Sequence, residues 1–343
     1  MARRSYTMSD VARDAGLSIK TVSRVLNHEP FVREDTRRAV MASVKKLNFQ
    51  RNAYARGLRA GSSNIYALFY EDPEGGYHAG ILHGVLAKCK AEGVHLMVEM
   101  LSGPEAARQL EIFAAQVRLD GAVLTPPLCD NAALLNILDA FEVPVARLSP
   151  ATMLSRGLVV GIDDERAAFD LANYLVGRGH RRIGFIEGIP GHVATTRRRR
   201  GYAEALAMHG IELDETLIHR GHFDFASGIE AGADLLSLAD RPTAIIAGND
   251  ETAAGAMTAA YRLGLRVPDD FSLCGFDDSP IASALSPPLT TIRQPTRQFG
   301  IDAIRLMIEH RAAVSGGSYA SMRIIMAHEL VERDSVATIS SHS

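Results

Sequence analysis

The sequence predicts an α/β protein in which an N-terminal all-α helix-turn-helix head precedes a core of two lobes with parallel sheets. The charge supports this division: residues 1–60 hold 13 Lys and Arg against 5 Asp and Glu, whereas the remaining 283 residues hold 24 against 35. A helix–glycine–helix pattern lies in the basic part, and short apolar segments alternate with helical segments in the acidic part. A basic head on an acidic body indicates that the head contacts a polyanion and that the body has another task.

The head begins with two short helices separated by a glycine. Thr7 is a good N-cap, and Asp10 three residues later completes a capping-box pattern. Gly16 ends the first helix because glycine tolerates the left-handed conformation of a tight turn, and Ser18 caps a second helix that runs to about residue 26. A third helix is predicted over about residues 33–47, and its apolar stripe is Ala39, Val40, Val44 and Leu47.

The second helix carries the side chains that would read DNA. In a helix-turn-helix the first turn of the second helix faces the base edges, which places Ile19 and Lys20 foremost and Arg24 one turn later. Thr21 and Ser23 have short hydroxyl side chains that suit phosphate oxygens. The pattern alone does not distinguish this interface from a small helical bundle with cations on its surface.

The acidic body shows strands and helices in alternation. Strands are predicted at residues 65–70, 94–100, 121–125, 143–148, 158–162, 181–188, 243–248 and 271–276. Helices are predicted at residues 81–92, 106–117, 165–178, 201–209 and 252–263. Because ligands of open α/β sheets bind at the carboxyl ends of the strands, we expect a binding cleft between the two lobes.

Several classes of protein are disfavoured by what the sequence lacks. No apolar run reaches the ~18 residues of a membrane span, and the N-terminus does not read as a secretory signal. The cysteines (Cys89, Cys129 and Cys274) are scattered without metal-ligand spacing, so we expect buried reduced thiols in a cytoplasmic protein. We therefore predict no metal site, no cofactor and no membrane partner.

Adjacent carboxylates at Asp163–Asp164 and Asp277–Asp278 raise the alternative of an enzyme. Neighbouring residues at a strand end point in different directions, and neither a nucleophile–base pair nor a phosphate loop accompanies them. We therefore predict no catalytic residue. A second alternative is an extracytoplasmic solute-binding protein with two lobes, which the basic head and the lack of a signal sequence disfavour.

Particular stretches of both parts of the chain carry a family resemblance. In the head these are DVARDAGLSIKTVSRVLN, VREDTRRAVMASVKKLNF and NAYARGLRAGSS. In the body they are GHRRIGFIEG, RRRRGYAEAL, AIIAGNDETAAGAM, GLRVPDDFSLCGFDDSPIA and SPPLTTIRQP. The order of these residues closely resembles the lactose/galactose-repressor (LacI/GalR) family. The resemblance implies a ligand-controlled transcription regulator, most often a repressor, which binds operator DNA as a homodimer. It also implies a periplasmic-binding-protein-like core.

The resemblance sets the predicted domain bounds. These are a helix-turn-helix domain at 1–50, a hinge at 51–62, a core at 63–335 and a flexible tail at 336–343. Lobe 1 is predicted over about 63–162 and 294–324, and lobe 2 over about 163–293 and 325–335. No leucine heptad follows residue 335, which favours a dimer over a tetramer.

The family's hinge helix inserts a leucine into the minor groove of the operator, and Leu58 matches that leucine. Arg56 and Arg59 flank it and can meet phosphates. The full set of predicted DNA contacts is Thr7, Ser18, Ile19, Lys20, Thr21, Ser23, Arg24, Asn27, Asn52, Ala55, Arg56, Leu58 and Arg59.

The resemblance also implies the effector contacts of the second lobe. Arg198 would hold paired oxygens with its planar fork of donors, and Phe223 would stack on an apolar face of the ligand. Asn249 and Asp277 would exchange hydrogen bonds with the ligand, whereas Asp250 and Asp278 are expected to cap the turns that follow.

The first lobe departs more from the family pattern. We expect its contacts from residues in the segments that follow its strands, namely Tyr77, His78, Thr125 and Ser149. The predicted effector is a sugar or glycoside, and the alternative is a nucleobase or a sugar phosphate.

Overall fold

The computed structural model describes residues 6–26, 29–49, 62–71, 75–151, 157–314 and 322–339. It separates the chain into two units, Met1–Asn64 and Ile65–Ser343. The first unit is all-α and the second is α/β, which confirms the predicted fold class.

Three helices form the described part of the first unit: α1 Met8–Ala15, α2 Ile19–Leu26 and α3 Glu34–Lys46. The capping box at the start of α1 is present, because the Asp10 N–H donates to Thr7 Oγ1 and the Thr7 N–H donates to Asp10 Oδ2 at 2.9 Å. Gly16 ends α1 with a φ of 65°. At the start of α2 the Thr21 N–H donates to Ser18 Oγ at 3.1 Å. The predicted helix–glycine–helix pattern is therefore confirmed.

The core of the first unit is small and aliphatic. Its buried members are Val11, Ala12, Val22, Val25, Leu26 and Val40. Val44 and Leu47 pack against this cluster, but Ala39 is exposed, so the predicted apolar stripe of α3 is wrong at that residue. The reason is the rotation of α3, which turns Val40 and Ser43 inward.

Two six-stranded sheets organise the described part of the second unit. Their strands are β1 Ile65–Tyr70, β2 His95–Met100, β3 Gly121–Leu124, β4 Val145–Leu148, β5 Leu158–Ile162, β6 Ile183–Ile186, β7 Ile218–His219, β8 Ala244–Ala247, β9 Ser272–Asp277, β10 Thr290–Arg293, β11 Arg323–Met326 and β12 Glu329–Val331. The first sheet has the order β11-β5-β4-β3-β1-β2, and all its pairs are parallel. The second has the order β12-β10-β9-β8-β6-β7, and only its β10–β12 pair is antiparallel.

Helices cover both faces of each sheet. They are α4 Gly76–Glu92, α5 Ala106–Gln116, α6 Ala132–Ala140, α7 Asp164–Gly177, α8 Val193–Met208, α9 Phe225–Leu236, α10 Asp250–Arg262, α11 Pro280–Ala284 and α12 Thr296–Val314. In the first lobe, alternate residues of β1 point to opposite faces: Tyr66 and Leu68 face the cluster of α4 and α12, whereas Ala67 and Phe69 face that of α5 and α6. In the second lobe, α7 and α8 cover one face, and α9 and α10 cover the other.

The chain passes between the two sheets more than once. It leaves the first sheet after β5, returns after β10, and crosses again between β11 and β12. Residues 336–339 then run along the second lobe, where the Ala337 N–H donates to Ser272 Oγ at 2.9 Å and the Ile339 N–H donates to the Arg178 carbonyl at 2.8 Å. The prediction of a flexible tail is therefore wrong for residues 336–339, because these backbone groups are satisfied by the core. The other domain bounds stay predictions.

Two sequence expectations can be compared directly with the structure. The cysteines Cys89, Cys129 and Cys274 are buried as free thiols, as predicted. Among the described helices, none combines the length and apolar character that a bilayer crossing requires.

A buried arginine fixes the end of β4. The Arg147 side chain is 1% exposed, and it donates to the Cys129 carbonyl from Nε and to Asp130 Oδ1 from Nη2, each at 2.6 Å. The other carboxylate oxygen of Asp130 accepts the Ala151 N–H at 2.7 Å. Asp130 thus ties the buried cation to the segment that follows β4, where Ser149 lies.

We predict that Asp130→Ala destabilises the core by ~3–5 kcal/mol, because it leaves the Arg147 charge buried without its carboxylate. Urea unfolding of the full chain measures this. The control is Glu309→Ala, which removes one of the two carboxylates that pair with Arg305 on a half-exposed helix face and should change stability by only about 0.5 kcal/mol. Equal losses for the two variants would contradict the prediction.

Candidate functional site

The first candidate surface is the exposed face of α2. Ile19 is 47% exposed, and Lys20 and Arg24 are exposed on the side of the helix that turns away from Val22 and Val25. The hydroxyl groups of Ser18 and Thr21 lie 2.8 Å apart at the beginning of the helix. An apolar side chain, two cations and hydroxyl groups on one short helix form a surface that suits base edges and phosphates.

The two cations of this face differ in their partners. Arg24 Nε donates to Glu29 Oε2 at 3.1 Å, in a pair whose side chains are nearly half exposed. Lys20 has no ion-pair partner within the described part of the head. Lys20 is therefore available to a ligand without first breaking a contact, whereas Arg24 must exchange or share Glu29.

The other predicted DNA contacts differ in their exposure, and several lie outside the described residues. Thr7 is exposed at the start of α1, and Ser23 is partly buried on α2. The predictions for Asn27, Asn52, Ala55, Arg56, Leu58 and Arg59 fall outside the described residues, so they stay predictions.

The second candidate site lies at the carboxyl ends of the strands in the α/β unit, where Arg198 of α8 is buried. Its Nε and Nη2 lie 3.0 and 2.9 Å from Asp164 Oδ1, and its Nη1 donates to the Gly248 carbonyl at 2.7 Å. The guanidinium carbon lies 3.6 Å from the centre of the Phe276 ring. A guanidinium has five N–H donors, so these three contacts leave two for a ligand.

Asn249 and Phe223 lie beside this arginine. Asn249 Oδ1 accepts the Thr252 N–H at 2.9 Å and so caps α10. Its Nδ2 donates to the Phe223 carbonyl at 2.8 Å and to Glu251 Oε2 at 3.1 Å. The Asn249 amide is therefore held in one orientation by three neighbours.

Asp250 does not cap the turn that the sequence predicts for it. Since Asn249 occupies the N-cap, Asp250 is the first residue of α10, and its buried carboxylate accepts the Ser279 N–H at 2.7 Å and the Thr291 hydroxyl at 2.6 Å. Burial raises the pKa of Asp250 to about 7. Asp250 thus joins the start of α10 to the turn after β9.

At the end of β9 two adjacent carboxylates have separate roles. Asp277 is buried, accepts Gln294 Nε2 at 2.6 Å, and has a pKa that burial raises well above its ordinary value. Asp278 was expected to cap a turn, but it forms ion pairs with Arg293 at 2.6 Å and Arg333 at 2.5 Å, because the chain turns it toward two strand-end cations. Only Asp277 belongs to the site.

The first lobe contributes hydroxyl groups. The Tyr77 hydroxyl donates to Ser149 Oγ at 3.4 Å, and buried Thr125 donates to the Phe69 carbonyl at 3.3 Å. Burial raises the pKa of Tyr77, and the Asp164 and Asp277 carboxylates of the second lobe raise it further. Tyr77 thus lies within the electrostatic field of the second-lobe site.

An aromatic set accompanies these groups. The rings of Tyr77 and His78 are 5.4 Å apart, and those of His192 and Phe223 are 6.2 Å apart. Burial lowers the pKa of His192, and the electrostatic interaction with His78 lowers it further. The His192–Phe223 pair of the second lobe therefore lies close enough to the Tyr77–His78 pair of the first lobe to interact with it.

Three predicted effector contacts share an unusual backbone. The φ angles are 43° at Ser149, 61° at Phe223 and 113° at Asp277. Residues with side chains rarely adopt such angles, and backbone strain of this kind concentrates at functional sites.

Sequence reasoning missed several members of this site. Asp164 holds Arg198, Gln294 donates to Asp277, and Glu251 contacts Asn249. Asp164 is the second residue after the end of β5. Ligand-site residues are expected at the carboxyl ends of parallel strands, so this position could have identified Asp164 from the sequence. Asp163 instead caps α7 by accepting the Arg166 N–H at 3.0 Å.

The arrangement suits hydrogen bonding to a polar molecule in a shielded environment. One guanidinium, an amide, hydroxyl groups and three carboxylates (Asp164, Asp277 and Glu251) converge there. Among the described residues, no group of His, Cys, Asp and Glu is arranged to hold a metal ion.

Two protein-family models match the chain. Residues 7–52 match the bacterial regulatory proteins of the lacI family, and residues 172–336 match a periplasmic binding protein-like domain. The HTH-type transcriptional repressor PurR of Klebsiella pneumoniae (strain 342) is 33% identical over 333 residues, which are 96% of this chain and 97% of the relative.

Solved structures agree with these matches. A complex of the transcriptional regulator CelR with cellobiose is 30% identical, with a TM-score of 0.73 over 96% of this chain and 99% of the other. The Lac repressor dimer bound to operator and the anti-inducer ONPF is 27% identical, with a TM-score of 0.83 over 97% of this chain and 100% of the other.

We predict that Asp250 makes the stability of the core depend on pH. Its folded pKa of about 7 exceeds the ordinary 3.8, so the protonated form is favoured by folding. The contribution is full below pH 4 and is lost as the pH rises to about 7, by up to roughly 4 kcal/mol.

Asp250→Asn should remove this dependence, because an amide can accept the Ser279 N–H and donate to Thr291 without titrating. Urea unfolding between pH 4 and pH 8 measures it, with the exposed Asp269→Asn as control. A wild-type profile parallel to that of Asp250→Asn would contradict the assignment.

Proposed function

The chain belongs to the lacI family of bacterial regulatory proteins, and we propose that it represses transcription by binding an operator, with a small uncharged effector controlling that binding. It is a DNA-binding transcriptional regulator. The observation that carries the effector proposal is Arg198, which is buried at the strand ends with two N–H donors left for a ligand. The relatives are regulators rather than enzymes, and we assign no catalytic step.

The charges of the site support an uncharged effector. The positive charge of Arg198 is matched by the buried Asp164, and Glu251 adds a carboxylate beside Asn249. An anion such as a sugar phosphate would meet repulsion that is strong in a shielded site. A molecule with adjacent hydroxyl groups would instead accept from Arg198 and donate to the carboxylates, which supports a sugar or glycoside.

The aromatic set supports a second candidate, a nucleobase. Phe223 and His192 on one side and Tyr77 and His78 on the other offer ring faces for a planar ligand. Of the similar structures, CelR contains cellobiose, a sugar, and the Lac repressor contains ONPF. We therefore rank the sugar first.

We further propose that the chain acts as a homodimer. The Lac repressor structure that it resembles is a dimer on its operator. Two copies would place two α2 helices on the half-sites of a pseudo-palindrome.

The proposal is tested in two steps with the purified full-length chain. Selection from a random duplex pool should enrich one pseudo-palindromic sequence. Sugars, nucleobases and sugar phosphates are then titrated by calorimetry, and the affinity for the selected operator is followed in parallel. Failure to enrich any sequence would contradict the regulator, and tight binding of only the phosphates would contradict the uncharged effector.

We predict that Lys20→Ala changes which bases the head prefers, with a loss of discrimination of about 1–3 kcal/mol at one position of the half-site. Lys20 stands exposed in the first turn of α2, where base edges are met. The measurement is competition between the selected operator and single-base variants. Lys45→Ala, at an exposed lysine of α3, is the control and should leave the base preference unchanged. Equal weakening on all sequences by Lys20→Ala would show a phosphate contact instead.

We predict that Arg198→Ala weakens effector binding by ~1–3 kcal/mol or more, because the paired donors are lost and Asp164 is left without its cation. Operator binding without effector should persist, so the variant is locked in the unliganded regulatory state. The neighbouring exposed Arg200→Ala is the control. Wild-type effector affinity in Arg198→Ala would mean that the ligand binds elsewhere.

A further inference from the structure

We propose that Glu251 is a positioning residue that links the effector site to the first lobe. One of its carboxylate oxygens holds the side chain of Asn249, and the other caps the N-terminus of α4 in the opposite lobe. The role in effector response rests on the proposed function, whereas the cap itself does not.

The first contact crosses between the lobes. The Gly76 N–H donates to Glu251 Oε1 at 2.9 Å, over a separation of 175 residues in sequence. The N-cap of α4 is Gly75, which has no side chain to accept a hydrogen bond from the first turn. A helix start needs acceptors for its free N–H groups and is stabilised by a negative charge. Glu251 supplies both from the second lobe.

The second contact lies within the effector site. Glu251 Oε2 accepts Asn249 Nδ2 at 3.1 Å, and the same nitrogen donates to the Phe223 carbonyl at 2.8 Å. Because Asn249 Oδ1 is fixed by the Thr252 N–H, the amide nitrogen is the part of Asn249 that can change partners. An effector that accepts from this nitrogen competes directly with Glu251. Occupancy of the site therefore alters the residue that holds α4.

The packing around this link shows that the lobes meet closely here. A Cβ added to Gly76 would lie 2.3 Å from the Ser279 Cβ, so only glycine permits this approach. The Ser279 N–H is held by Asp250, the residue that precedes Glu251 on α10. One turn of α10 thus fixes both sides of the junction, through Asp250 on the Ser279 turn and Glu251 on α4.

The cap is tested by amide hydrogen exchange at Gly76 in the full chain, resolved by fragmentation mass spectrometry. Glu251→Ala should accelerate exchange by about tenfold, because the cap is lost. Glu251→Gln should stay within about threefold of the wild type, because its amide oxygen can still accept the Gly76 N–H. The control is Glu230→Ala, at an exposed position of α9. If Glu251→Ala matches the control, or if Glu251→Gln exchanges as fast as Glu251→Ala, the cap is refuted.

The link to the effector site is tested with the selected operator as the probe and no effector present. Glu251→Ala and Gly76→Ala both separate α4 from α10, so both should shift operator affinity in the same direction by about threefold or more. Unchanged affinity in both variants would overturn the link. Failure to select any operator would refute the proposed function instead, and the exchange experiment would still decide the cap.

Discussion

The buried pair of Arg198 and Asp164 determines the character of the core. Asp164 begins α7 immediately after the chain leaves the first sheet, and Arg198 reaches it from α8 while also contacting the carbonyl after β8. The pair thus joins a crossover to the strand ends of the second sheet. Because a buried guanidinium without a carboxylate is strongly unfavourable, the position of Arg198 is set before any ligand arrives. The direction of its remaining donors and the lack of a surplus positive charge both follow from this pair.

Adjacent residues at the strand ends have different roles because successive side chains leave the backbone in different directions. Asn249 caps α10, Asp250 is buried against the turn after β9, and Glu251 reaches the other lobe. Asp277 faces the site, whereas Asp278 faces two arginines. Paired acids in a sequence therefore do not indicate paired acids in space.

The sequence predicted the features that depend on near neighbours. The caps at Thr7 and Ser18 and the strands β1 to β6, β8 and β9 follow from residues within a few positions of one another. The long helix α12 was not predicted, and neither was the antiparallel pairing of β12, because a local pattern does not specify packing partners. The contacts of Asp164 with Arg198 and of Glu251 with Gly76 span 34 and 175 residues, which no spacing rule reaches. The family resemblance named Arg198 and Asn249, but not the side chains that hold them.

The repeated crossing of the chain between the lobes has a consequence for its synthesis. The first sheet gains its edge strand only with β11, and the second gains its edge only with β12, so both sheets are finished by the same short stretch, residues 323–331. The helices of the head are complete in the growing chain once residue 46 has been added, and their contacts are local. The two sheets of the core cannot be completed until nearly the whole chain has been synthesised, and their apolar strand edges stay uncovered until then. A nascent chain therefore has a DNA-reading surface long before it has lobes that can respond to a ligand.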